Sequence, residues 1–192
     1  MISKIEKDEE FKIRWKSFYD NRKPLSWYLK SELNEKWFRI HSLPNGQRYA
    51  KTKEDSAIIL HRCDTIADKI LSGNDCWLVR STSIRSKTIP KFENVPYLKS
   101  EKFQYTLELK IDEEETCQVW VLKSKWNSRK FKNLLINIAE DKIENIFFMN
   151  DLTGNIFAPY DGGIDLVINE EKESLKLKRI FKSWLSKHPD GL

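Results

Sequence analysis

The feature that most constrains the fold is a run of three short apolar segments near the C-terminus, separated by tight turns. The segments span residues 145–149, 156–158 and 164–168 and are rich in Ile, Phe and Val, which favour strands. The turns, at 152–155 and 161–163, contain Gly, Asn and Asp. Strands joined by turns this short pair as antiparallel neighbours. The sequence therefore predicts a three-stranded antiparallel unit.

An amphipathic helix is predicted directly after this unit. Asn169 stands at the position of an N-cap, and three glutamates in the next four residues suit the positive end of the helix dipole. Pro189 is expected to end the helix. Its core stripe is predicted to consist of Leu177, Ile180, Phe181 and Trp184.

The rest of the chain alternates between helix and strand patterns. Helical periodicity covers about 3–19, 53–72 and 127–138. Thr52 and Asp55 form a capping-box pair, and Asn127 or Ser128 is the expected N-cap of the third helix. The expected buried faces are Phe11, Trp15, Phe18 and Tyr19 in the first helix and Phe131, Leu134, Leu135 and Ile138 in the third. Strand patterns cover 37–43, 76–80, 103–111 and 117–122. We therefore expect one α+β domain over 1–192, with a mainly antiparallel sheet built from hairpins and flanked by about four helices.

One long segment interrupts this pattern. Residues 83–101 show no periodicity and contain two prolines, which predicts an irregular loop. Loops of this length inside a compact domain are often functional. Arg85 and Lys87 in this loop are therefore candidate binding residues.

Composition limits the classes of protein to which the chain can belong. Its 192 residues include 7 Trp, 10 Phe and 6 Tyr, which is enough apolar surface for a packed core. The first ten residues are charged and no apolar run is long enough to span a bilayer, so we expect a cytoplasmic protein that does not contact membranes. The net charge of +5 is spread along the chain and does not by itself indicate nucleic acid.

Catalytic and metal-binding patterns are weak. His61 and Cys63 are two residues apart on one predicted helix and point in different directions, and three cysteines without metal spacing predict buried thiols. Neither a metal site nor a cofactor is predicted. Asp161 and Asp165 flank the Gly162-Gly163 turn, where they could form a carboxylate site or simply serve hairpin chemistry. We favour the turn and keep both aspartates as candidate binding residues.

A basic cluster surrounds one tryptophan where a strand enters a helix. Lys123, Lys125 and Arg129 lie close to Trp126 in sequence. An aromatic ring among cations can stack on a base while the cations neutralise phosphates. A solvated surface with Trp126 packed inward is the other interpretation, and the one we favour.

Three blocks of sequence resemble an uncharacterised family of bacterial hypothetical proteins. They are WFRIHSLP at 37–44, FAPYDGG at 157–163 and WLSKHPDGL at 184–192. The resemblance implies a bacterial cytosolic protein and carries no activity or active-site residues.

The sequence is compatible with three functions. The leading hypothesis is a non-enzymatic binding protein, an immunity or antitoxin-like factor that occludes a protein partner such as a toxin. Aromatic richness favours it, and the basic charge suggests an acidic or neutral partner. The alternatives are nucleic-acid binding around Trp126, and an enzyme using Asp161 and Asp165 with His41 or His188.

Overall fold

Seven strands form one sheet in which every neighbouring pair is antiparallel. The structure is a computed structural model that describes residues 4–71, 73–83, 103–111 and 116–188. The strand order is β1-β7-β6-β5-β2-β4-β3. The strands are β1 (Trp37–His41), β2 (Asp75–Ser83), β3 (Gln104–Lys110), β4 (Thr116–Lys125), β5 (Ile146–Asn150), β6 (Ile156–Tyr160) and β7 (Gly163–Val167). The predicted α+β fold with a mainly antiparallel sheet is confirmed.

Helices cover both faces of this sheet. They are α1 (Lys4–Tyr19), α2 (Leu29–Glu32), α3 (Lys53–Leu71), α4 (Ser128–Ala139) and α5 (Glu171–Ile180), with short 3-10 turns at Ser26–Tyr28 and Pro44–Gly46. One hydrophobic cluster joins α1 and α2 to one face, and a second joins α3, α4 and α5 to the other. Within the described ranges, no helix is long and apolar enough to cross a membrane.

The two central helices begin as their sequences predict. At α3 the Thr52 N–H donates to the Asp55 carboxylate over 3.1 Å, and the Asp55 N–H donates to the Thr52 hydroxyl over the same distance. At α4 the Asn127 side chain accepts from the Lys130 N–H at 3.0 Å. Caps of this kind satisfy N–H groups that have no partner inside the helix. The predicted capping box is confirmed, and of the two cap candidates in the sequence, Asn127 and Ser128, it is Asn127 that caps α4.

The N-terminal helix reaches across the chain to the β5–β6 turn. Phe11, Trp15 and Tyr19 of α1 are buried on the sheet, as their spacing predicts. The Tyr19 hydroxyl donates to the Gly154 carbonyl. Gly154 has a φ of +71°, and a Cβ there would lie 2.4 Å from Phe18 Cγ. Only glycine fits this position, because both the conformation and the space exclude a side chain.

The start of the last helix differs from the prediction. Its N-cap is Glu170, without a side-chain hydrogen bond, and not Asn169. The Asn169 amide instead donates to the Thr153 carbonyl at 2.9 Å, and its oxygen accepts from Lys36 Nζ at 3.1 Å. Asn169 therefore bonds to Thr153 in the β5–β6 turn and to Lys36 just before β1, and it does not cap the helix that follows it.

The end of that helix is also earlier than predicted. It stops at Ile180, whose side chain is exposed, so Ile180 is not part of the core stripe; Leu177 and Phe181 are buried. The chain turns after Phe181 so that Leu185 can bridge to Ile40 at the edge of β1. Pro189 lies outside the described residues.

Two strands of the sheet separate at one end. Strands β5 and β6 pair only through Phe148 with Phe157 and Met149 with Ile156. Pro159, which has no N–H to donate, lies beyond the last pair. The separation opens a cleft beside the β6–β7 turn. The loop predicted at 83–101, with Arg85 and Lys87, falls almost entirely outside the described residues, since Ser83 ends β2.

Candidate functional site

A cleft of about 410 Å³ lies where β5 and β6 separate. Strands β1, β6 and β7 and the 3-10 turn at Ser26–Tyr28 contribute to its walls. The two aspartates singled out from the sequence both lie there. Its aromatic and charged lining consists of Trp27, Arg39, Arg48, Asp141, Glu144, Tyr160, Asp161 and Asp165.

Asp165 is held by an arginine directly across the sheet. Arg39 on β1 pairs in register with Asp165 on β7. The Arg39 Nε donates to Oδ1 at 2.6 Å and its second nitrogen to Oδ2 at 2.9 Å, which is a bidentate ion pair. The guanidinium carbon lies 4.7 Å from the centre of the Tyr160 ring. Burial acts to lower the pKa of Arg39, but the hydrogen bonds and charge of Asp165 outweigh it and raise that pKa.

Asp161 is held from the other side of the cleft. Its Oδ2 accepts from Arg48 Nε at 2.5 Å and from the Tyr49 hydroxyl at 2.8 Å. The Asp161 side chain is 7% exposed, whereas Arg48 is 62% exposed. Burial acts to raise the pKa of Asp161, but the bonds from Arg48 and Tyr49 outweigh it and lower that pKa. Each of the two aspartates therefore forms an ion pair with an arginine.

The two glycines of the turn serve close packing. The predicted hairpin turn between β6 and β7 is confirmed, yet neither Gly162 nor Gly163 lies in the left-handed region that the commonest Asp-Gly turns require. A Cβ on Gly163 would lie 2.5 Å from the Ile40 carbonyl oxygen and 2.8 Å from the Tyr160 hydroxyl. Glycine is needed here because β1 and Tyr160 approach the backbone, and not because of φ.

The histidines lie elsewhere. His41 and His188 line a second cavity, and neither lines the cleft that holds Asp161 and Asp165. The structure therefore does not bring together the acid–base groups that the enzyme hypothesis requires. Within the ranges that the structure describes, no cluster of His, Cys, Asp and Glu could hold a metal ion.

The cysteines are inert in this arrangement. Cys63, Cys76 and Cys117 are buried and not joined in disulfides, as predicted. Burial, with a smaller contribution from neighbouring aspartates, raises the pKa values of Cys63 and Cys76 to about 12. His61 is exposed on the same helix as buried Cys63, so the two side chains do point apart.

Trp126 packs against the core. Its ring stacks on Phe131 at a centroid distance of 5.4 Å and an angle of 15°, and it meets Phe148 and Phe157 edge-on. The indole N–H donates to Asp68 at 2.7 Å. Inward packing, the interpretation favoured from the sequence, is the one observed.

The lysines and arginine around Trp126 divide between two places. Lys123 forms ion pairs with Glu10 of α1 and, at 3.4 Å, with Asp151. Lys125 and Arg129 are exposed and, with Lys130, line a shallow depression at the start of α4. Of the four residues predicted to form one surface, only Lys125 and Arg129 remain together in solvent.

The arginines and Trp27 in the cleft were not predicted from the sequence. Arg39 and Asp165 are separated by 126 positions, and Arg48 and Asp161 by 113. The only local signal was the Arg at the centre of the apolar block WFRIH.

A family model described as a domain of unknown function (DUF3885) matches residues 25–189. The chain belongs to this family. The DUF3885 segment contains all seven strands of the described structure and helices α2 to α5, whereas α1 precedes it. The expectation of an uncharacterised family is confirmed. No curated protein and no solved structure matches the chain.

Proposed function

We propose that this DUF3885 protein is a non-enzymatic binding protein of the bacterial cytoplasm that covers a surface of a protein partner, as immunity and antitoxin-like factors do. The contact surface in this proposal is the cleft beside the β6–β7 turn and the residues around it. This contact surface, the cleft surface, consists of Trp27, Arg39, Arg48, Tyr49 and Tyr160.

The composition of the cleft surface carries the proposal. Trp27 is 42% exposed and Tyr49 is 45% exposed, so two large aromatic side chains stand in solvent next to an exposed Arg48. Trp, Tyr and Arg are the residue types that dominate binding hot spots. The polar ends of Arg48 and Tyr49 are held in place, because both donate to buried Asp161. Side chains fixed before binding lose less entropy on association.

The state of the aspartates favours binding over catalysis. A general acid or base must exchange a proton with its substrate and is tuned to do so near the working pH. Asp165 instead accepts two hydrogen bonds from Arg39. Burial acts to raise the pKa of Asp161, but the hydrogen bonds from Arg48 and Tyr49 have the larger effect and lower it. Groups held in this way stabilise a surface more readily than they transfer protons.

Co-expression with the product of the adjacent gene tests the proposal. The expected result is co-purification of the two chains as a stoichiometric complex, together with relief of any toxicity of that product. Trp27→Ala combined with Arg48→Ala should weaken the complex at least tenfold, which is the size of a hot-spot effect. Ile13→Ala combined with Leu152→Ala removes two exposed apolar side chains away from the cleft and should leave it unchanged. A neighbour that never co-purifies would refute this proposal.

Nucleic-acid binding is a second candidate, supported by the depression lined by Lys125, Arg129 and Lys130. It predicts affinity that falls steeply with salt, because phosphate contacts release counterions. Charge reversal at Lys125 and Arg129 should abolish binding of a short RNA or DNA duplex. The same reversal at Lys142, which is also exposed, is the control.

A further inference from the structure

A second cavity, of about 590 Å³, lies at the other end of β1 from α2. It is enclosed by the end of β1, the turn at Pro44–Gly46, helix α3 and residues 183–188. Among the described residues, its charged and titratable lining consists of His41, Arg62, Lys187 and His188, with no Asp or Glu. It is distinct from the cleft surface, and we call it the basic cavity.

Arg62 is the unusual residue in the basic cavity. Its side chain belongs to α3 and is 7% exposed. One terminal nitrogen donates to the His41 carbonyl at 2.8 Å, and the guanidinium carbon lies 4.9 Å from the centre of the Trp184 ring. Among the described residues, no carboxylate lies within ion-pair distance of it, and burial alone lowers its pKa.

A buried guanidinium without a counter-charge is unfavourable. Removing a charge from water is costly, and buried charges in proteins are therefore paired or bound to a ligand. A guanidinium has five N–H donors in a planar fork that matches carboxylate and phosphate oxygens. The bond from Arg62 to the His41 carbonyl leaves most of that fork without a described partner.

The surroundings of Arg62 are positive as well. Lys187 and His188 add cationic or ionisable nitrogens to the wall, and Lys187 is exposed. His41 lies among the same charges: burial, then Arg39 and Arg62, lower its pKa. A cavity with this lining repels cations and attracts anions.

We propose that the basic cavity binds a small organic oxyanion, a phosphate monoester or a carboxylate, whose charged group pairs with Arg62. The cavity is larger than a phosphate group alone. Leu43, Pro44 and Leu185 give it apolar walls, which suit an apolar body attached to the anionic group. Lys187 contributes a second cation at the opening.

The test is a titration of the full chain with three probes: phenyl phosphate, benzoate and inorganic phosphate. Saturable heat in calorimetry and a Tm that rises with probe concentration are expected, because a ligand that binds only the folded state stabilises it. Tighter binding of phenyl phosphate than of benzoate assigns a phosphate ligand, and the reverse order assigns a carboxylate. Failure of all three probes to bind at about 10 mM, far above typical ligand affinities, overturns the proposal.

Two variants identify the site of binding. Arg62→Met keeps the length of the side chain and removes the charge, so affinity should fall at least tenfold. Lys187→Met at an exposed position should lower affinity several-fold without affecting folding. Arg129→Met, an exposed arginine in the separate depression at α4, is the matched control and should bind like the parent. Equal affinity of Arg62→Met and the parent chain would refute the site.

An NMR readout covers the case in which Arg62→Met does not fold. The C2 proton of His41 reports the charge in the cavity of the parent chain. Binding of an anion beside Arg62 should raise the pKa of His41, since a negative charge favours the protonated ring. A probe that binds without moving the His41 titration is bound elsewhere and contradicts the proposal.

Discussion

Arg39 and Arg62 show two ways in which one chain treats a buried guanidinium. Each lies over a tryptophan, Arg39 5.3 Å from the Trp37 ring centre and Arg62 4.9 Å from that of Trp184. Burial acts to lower the pKa of both. Asp165 reverses this effect for Arg39, and nothing described reverses it for Arg62. The difference indicates that the charge of Arg39 serves the ion pair with Asp165, whereas the charge of Arg62 is available to a ligand.

The largest effect should come from breaking the compensated pair. Arg39→Met leaves the Asp165 carboxylate buried without its partner, and we expect the free energy of unfolding to fall by about 3 kcal/mol. Asp165→Leu should cost a similar amount for the reciprocal reason. The double variant should recover most of the loss, as measured by urea denaturation. Additive losses in the double variant would mean that the pair does not act as a unit.

A smaller effect is expected at Asp161, whose arginine partner is exposed. Asp161→Asn should lower the free energy of unfolding by about 1 kcal/mol at pH 7, since solvent weakens the pair with Arg48. The pKa of Asp161 is lower in the folded state, so its contribution is present above the ordinary Asp value and is lost as pH falls through the folded pKa. Parent and variant should therefore converge in stability on acidification from pH 7 into the acid range. A difference that persists in acid would mean that the loss is not electrostatic.

Arg62→Met should have little effect on stability in anion-free buffer. The substitution removes a bond to the His41 carbonyl but also removes an uncompensated buried charge, so a change below about 1 kcal/mol is expected. Arg39→Met makes the same chemical change next to a carboxylate. The difference between the two losses in the free energy of unfolding therefore measures the effect of the counter-charge. Equal losses in the two variants would remove the distinction between the two sites.

The smallest effect is a shift in the titration of His41. Its pKa is lowered first by burial and then by Arg39 and Arg62. Arg39→Met and Arg62→Met should therefore each raise the pKa of His41, as measured by NMR titration of its ring. If the charge of Arg39 is already offset by Asp165, the Arg62 substitution should give the larger rise. The opposite order would show that Asp165 screens Arg39 less than the geometry implies.

The features that were predictable from the sequence depend on neighbours along the chain. The Thr52–Asp55 capping box, the Asn127 cap and the β6–β7 turn each form within a few residues, so pattern and propensity determine them. The stripe of α4 follows from helical spacing in the same way. The seven strands were located by their apolar or alternating centres, but β2 and β4 extend past the predicted 76–80 and 117–122 into polar residues.

The candidate sites depend on contacts between distant parts of the chain. Arg39 contacts Asp165 because β1, at the edge of the sheet, pairs with β7, which follows it by more than 120 residues in the sequence. Asn169 was expected to cap a helix, yet Thr153 and Lys36 reach it from other elements. Turn propensity also could not show that glycine at 163 makes room for the Ile40 carbonyl.

The bond between Tyr19 and Gly154 has a consequence for the order of assembly during synthesis. Helix α1 is synthesised before the sheet, but the surface that buries it includes residues up to Val167. At about 5–20 residues per second, roughly 7 to 30 seconds pass between synthesis of the helix and completion of its docking surface. Before Trp77 is made, Phe11 and Trp15 have ring contacts only within the helix, and Trp15 also donates to the Arg22 carbonyl; their described ring partners on the sheet are Trp77 and Phe147. During synthesis, the apolar face of α1 is therefore exposed until the strands that bury it have been made.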